Sequence, residues 1–151
     1  MATVSLTGDD TIQIGDLILA DLGDGDVVDL TYPNELVGVT VGKNGNAIHA
    51  LNETGKIADV IIRIIRGSSD DKALNSLRVG MLQDFAAFKL LSGQFVKRAG
   101  DGAGNITSDI YDVSGGSFTK NIDVKSSVAG ETEQGISIYT LKFTNASRSL
   151  A

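Results

Sequence analysis

KIADVIIRIIRGSSDDKALNSLRVGMLQDFAAF, running from Lys56 to Phe88, is the stretch that decides the fold. Ile57, Val60, Ile61, Ile62, Ile64 and Ile65 crowd β-branched side chains onto a short span, which predicts a strand over Lys56 to Arg66. Both faces of that strand are mostly apolar, so it is expected to be covered on both sides. The pattern changes at Gly67. Ser68 with Asp71 three residues on is a capping pattern, and Asp70 and Asp71 put negative charge where the exposed amides of a first helical turn favour it. Leu74, Leu77, Met81, Leu82 and Phe85 then recur at helical spacing, predicting one amphipathic helix over about residues 69–84. Gly80 costs that helix about 1 kcal/mol relative to alanine, so the apolar stripe must hold it.

Outward from this stretch the chain reads as short strands and turns. Thr11 to Ala20 is strand-like with a break at Gly15-Asp16, and Asp21 to Asp26 reads as a loop. Val27, Val28 and Leu30 begin a strand that Tyr32-Pro33-Asn34 ends, because Pro33 has no amide to donate. Leu36–Val41 and Ala47–Leu51 flank Lys43, Asn44, Gly45 and Asn46. Asn-Gly between two strand-like runs predicts a hairpin, because both central residues tolerate positive φ, with a polar tip turned to solvent or to another subunit.

Beyond the helix, Phe88 to Val96 is a strand weakened at Ser92-Gly93, Gly100 to Asn105 is a flexible tip, and Ile106 to Val113 is the returning arm. Ser114 to Gly135 is polar and reads as a long excursion with little regular structure. Ile136 to Phe143 is the last strand, and Asn145 to Ala151 reads as a fraying tail. The expected fold is mainly β within the α+β class: one domain over 1–151, an antiparallel β-sandwich or open barrel with one packed helix.

Composition narrows the function. A chain of 151 residues buries about two thirds of its unfolded surface and needs no staple to fold. It has no cysteine, which removes thiolate metal sites, disulfides and cysteine nucleophiles together. The net charge of −6 argues against holding nucleic acid or anionic membrane by phosphate neutralisation. No apolar run approaches the about 20 residues a membrane span requires, and Met1 to Asp10 lacks the basic and apolar regions of a cleaved leader.

Candidate chemistry is sparse. His49 is the single histidine and has no Ser, Asp or Glu at partner spacing. Asp21, Asp24, Asp26 and Asp29 resemble a hard-cation loop but lack a closing Glu, so a solvated turn is the preferred reading. Gly100 to Asn105 has the glycines of a phosphate loop without its lysine or its helix. Asn52, Asn105 and Asn145 head glycosylation triplets that carry no weight without a leader. No catalytic, metal or cofactor residue is assigned, and a structural protein is favoured over an enzyme.

Several blocks carry a resemblance: RIIRGSSDDK at Arg63–Lys72, LNSL at Leu74–Leu77, FVKRAGDGAGN at Phe95–Asn105, GGSFTK at Gly115–Lys120, ETEQ at Glu131–Gln134 and YTLKFT at Tyr139–Thr144. Together they resemble the tail tube proteins of contractile-tailed bacteriophages, from Lys56 to the end. The resemblance implies a β-sandwich with a flanking helix, no active site, and hexameric rings stacked around a bore through which DNA leaves the virion without specific binding. It implies a tail sheath, with baseplate or terminator proteins, as partners, and a protein made in the host cytoplasm and carried in the virion tail. It places an inter-subunit hairpin at Lys43, Asn44, Gly45 and Asn46, and ring-to-ring contacts in Ser114 to Glu133. Bore-lining residues are not named by it. Acidity repeated around a ring would repel phosphate from such a bore.

Two alternatives stand beside this. One is the tube of a phage-derived bacteriocin or secretion apparatus. The other is a ligand-binding β-sandwich, disfavoured by the absence of Trp and an aromatic content of 5%, since sugar platforms stack on aromatic faces.

Overall fold

The structure, a computed structural model, describes residues 2–6, 10–20, 27–124 and 135–150. The strands are β1 (Ser5–Leu6), β2 (Thr11–Ile14), β3 (Leu17–Ile18), β4 (Val28–Thr31), β5 (Val37–Val41), β6 (Ala47–Leu51), β7 (Ala58–Ile65), β8 (Leu91–Gly100), β9 (Ile106–Phe118), β10 (Asp123–Val124) and β11 (Ile136–Leu150). One α-helix, α1 (Ser69–Gln83), lies between β7 and β8, and a 3-10 turn spans Glu53–Lys56. The fold is mainly β with antiparallel pairing and one helix, as the sequence predicts.

Nine strands form one sheet in the order β3-β2-β8-β9-β11-β7-β4, with β1 added to β8 and β10 to β11. β4 at one edge and β2 next to the other both line one trough, Val28 and Leu30 from the first and Ile12 from the second. Among the described residues no ladder joins those edges, so the open-barrel form of the expectation describes the arrangement. Among the described residues, β5 and β6 pair only with each other.

β7 carries the core. Ala58, Val60, Ile62 and Ile64 are wholly buried, and β11 sets Phe143, Leu141, Tyr139 and Ser137 beside them on the same face. A side chain such as Ile62 or Leu141 contributes about 1.5–3 kcal/mol by its burial. The second face of β7 is not fully covered, contrary to expectation: Asp59, Ile61 and Arg63 are half-buried and Ile65 is exposed. The reason is that, among the described residues, α1 lies on the core side and no α-helix lies on the other.

Ser68 caps α1, accepting from the Asp71 amide at 3.2 Å, while Asp71 reaches back to the Gly67 amide at 2.8 Å. Gly67 sits at φ +79, a left-handed conformation that turns β7 into the helix. Asp71 also receives the Tyr139 hydroxyl and that of Ser137, and buried Asp70 accepts the Ala20 amide. The helix is thereby tied to β11 on one side and to the segment after β3 on the other. Leu74 and Met81 are buried and Leu77 half-buried, but Leu82 and Phe85 are exposed. The sheet meets only the line 70-74-77-81, and the helix ends before Phe85.

Two further expectations are corrected. Ser114 to Phe118 is the inner part of β9, not an excursion, and Asn145 to Leu150 pairs residue by residue with β9 instead of fraying. Gly115, at φ +66, and Gly116 make the first possible: β-carbons there would meet Thr144 Oγ1 at 2.1 Å and the Phe143 ring at 2.3 Å. Arg148 holds the second, binding Asp109 through Nε at 2.8 Å and Nη2 at 2.9 Å. The Asp21–Asp26 loop and most of the remaining excursion, residues 125–134, lie outside the described residues.

Candidate assembly surface

The hairpin of β5 and β6 stands off the main sheet. Its tip is a three-residue loop, Lys43-Asn44-Gly45. The Gly45 amide donates to the Gly42 carbonyl at 3.0 Å, and the Gly42 amide to Asn46 at 2.8 Å. Gly45 has φ +81, while among the described residues no non-glycine residue has positive φ, so of the Asn44-Gly45 pair only the glycine takes the left-handed conformation. A type I turn followed by a left-handed glycine fits these bonds.

Every residue of both strands is exposed. Opposed residues in an antiparallel pair share a face, so Val37, Val39 and Val41 lie with Leu51, His49 and Ala47, and Ile48 lies with Thr40 on the other side. Val41 is 64% and Ile48 70% accessible. An isolated two-stranded hairpin is marginal in water, and this one presents aliphatic side chains on both faces.

Its root, in contrast, is locked. The Asn52 amide donates to Leu36 O at 2.9 Å and its Nδ2 to Glu35 O at 2.8 Å, while Asn34 Nδ2 donates to Thr54 O at 3.3 Å. Gly55 is buried against Leu36, and a β-carbon on it would lie 2.8 Å from Leu36 Cα. Tyr32, just before the arm, donates its hydroxyl to Ala146 O of β11 at 3.2 Å. Burial raises the Tyr32 pKa, so the phenol keeps its proton. The arm is thus fixed at its base and uncovered along its length.

A second apolar patch lies at the end of α1. Val79, Leu82, Phe85 and Leu90 are exposed there, with Phe85 stacked on Phe88 at a centroid distance of 6.4 Å. Placing Leu82 and Phe85 on the apolar stripe of the helix concealed this patch. Too many apolar positions for one helix face was the signal available.

The other candidates do not come together. His49 is an exposed arm residue opposite Val39. Asp29 pairs with Arg63 at 2.8 Å, and Asp21, Asp24 and Asp26 lie outside the described residues. Among the described residues no group of three His, Cys, Asp or Glu is placed to hold a metal.

The tip at 101–105 is a closed turn. Asp101 accepts from Asn105 Nδ2 at 2.7 Å and from the Ala103 and Asn105 amides, bonds that lower its pKa. The trough of about 470 Å³ has an apolar floor of Ile12, Val28, Leu30 and Phe95. At its rim Lys97 meets Asp10 at 2.9 Å, and the Arg148 bond lowers the pKa of Asp109. Among the described residues no helix is long and apolar enough to cross a membrane.

No family model matches the chain, and no curated protein matches it by sequence. Among solved structures it is similar to a chain of the PVC sheath-tube complex, an extracellular contractile injection system in the extended state. The TM-score is 0.61 over 94% of this chain and 88% of that one, with 10% sequence identity. At that identity the likeness is one of fold, and it covers nearly the whole of both chains.

Proposed function

We propose that the chain is a tube subunit of a contractile tail-like particle, a structural protein and not an enzyme. Copies close into rings, hexameric in the family the sequence resembles, and the rings stack around a bore. The observation that carries this is the β5–β6 arm: a rigidly rooted hairpin whose aliphatic residues are left bare, on a fold shared with a chain of a sheath-tube complex. Exposed apolar surface of this kind marks an interaction site. Lys43, Asn44, Gly45 and Asn46 form the tip that reaches the adjacent copy, and the apolar strands behind them supply the contact. A sheath outside the tube and a baseplate or terminator at its ends complete the particle.

Negative-stain imaging of the purified protein, alongside its mass under native conditions, tests the reading. Rings or tubes are expected; a protein that remains monomeric at high concentration overturns it.

A second reading is favoured by one observation, the extracellular injection system to which the fold is similar. There the tube would belong to a particle without a capsid, and the cargo would not be genomic DNA. Particles purified with this subunit separate the two: a phage tail carries a DNA-filled head, and an injection particle does not.

A further inference from the structure

We propose that the outer face of β8, β9 and the second half of β11 lines the bore of the assembled tube. This rests on the tube reading above and adds which surface turns inward. The outer side of the sheet divides into two chemistries. On β7 and the first half of β11, Ile61, Ile65, Ile136 and Ile138 share a face with the ion pairs Arg63–Asp29 and Lys142–Asp59. Apolar area edged with paired charge suits a contact between subunits.

The other half is different. Gln94, Asp112 and Ser147 form one cross-strand row, Ser149 lies beside Ile110, and Asn145 beside Ser114. Val96 and Ile110 pair in the middle and are half-buried. The charged groups on this half are Asp112, which accepts from Gln94 Nε2 at 3.0 Å, and Arg98.

Such a face suits neither of a tube subunit's other surfaces. Contacts gather exposed apolar and aromatic side chains. An outward surface keeps an assembly soluble with mixed charge. Short hydroxyls and amides, with Arg98 as the cation among them, offer a passing polyanion little charge to bind its phosphates, and apart from Val96, Ile110 and the exposed Ile106 they offer an apolar cargo little to adhere to. The easy passage first ascribed to acidity is supplied here by a nearly uncharged surface.

The chain has no cysteine, so one can be placed cleanly. Ser147→Cys and, separately, Ser149→Cys tubes are treated with a small maleimide and with a maleimide on a protein-sized polymer. The expected result is labelling of tubes by the small reagent, loss of labelling by the bulky one, and labelling of dissociated subunits by both. Bulky label along the tube wall overturns the proposal by placing the face outside. Exclusion of both reagents from tubes overturns it by placing the face in a contact, as does failure of both variants to assemble while wild type does. Wild-type protein that never forms tubes withdraws the tube reading itself, a distinct outcome.

Discussion

The ring of Phe143 in β11 occupies the space a side chain at Gly116 in β9 would fill; a β-carbon there would lie 2.3 Å from Cε1. The ring is wholly buried, so it cannot step aside into solvent. Gly116→Ala is therefore expected to destabilise the subunit by about 1–3 kcal/mol through overpacking. Urea denaturation, with an unchanged slope and a lower midpoint, checks it.

Gly80 gives the opposite outcome. It lies inside α1, exposed, and a β-carbon there would meet nothing within 4 Å. Gly80→Ala should stabilise the monomer by about 1 kcal/mol and raise its melting temperature by about 3 °C. A thermal scan under conditions that keep the protein monomeric reads this directly.

Tyr139 makes the fold sensitive to alkali. Burial first, then its bond to Asp71, push the phenol well above its ordinary value of 10.0. A raised folded value means the stabilisation is complete below the unfolded pKa. As pH climbs past about 10 the unfolded chain loses this proton while the folded one keeps it, and stability falls. Tyr139→Phe should cost about 1 kcal/mol at neutral pH yet flatten the alkaline decline. Equal slopes for both proteins above pH 10.0 would contradict this account.

The arm should be dispensable for folding and required for assembly. Because both side chains are exposed, Val39→Asp with Ile48→Lys should change monomer stability by no more than about 0.5 kcal/mol. Native mass measurement should find rings lost. Rings that persist would remove β5 and β6 from the interface.

The legible parts were those where a few residues decide locally. The isoleucine run of β7, the Ser68–Asp71 cap and Asn44-Gly45 each specify their element without help from distant residues. The inner end of β9 was not legible, because Ser114-Gly115-Gly116-Ser117 has no alternation; it is a strand because Phe143 fills the place of the missing side chains. Residues 145–150 read as a tail because they are polar, and they form a strand because β9 runs beside them with Asp109 bound to Arg148. The assembly surface was half legible. The turn at Lys43–Asn46 was plain, but the exposure of Val39, Val41, Leu82 and Phe85 depends on how little of the chain lies over them.

β11 borders β7 through its first eight residues and β9 through most of the rest. During synthesis, Ile65 must wait for Ile136, its opposite number some seventy positions downstream, before the central ladder can zip. Until then the two halves of the sheet have no common strand. Closing the sheet therefore depends on a pairing between segments far apart in sequence, whose loop-closure entropy must be met before the contacts reward it.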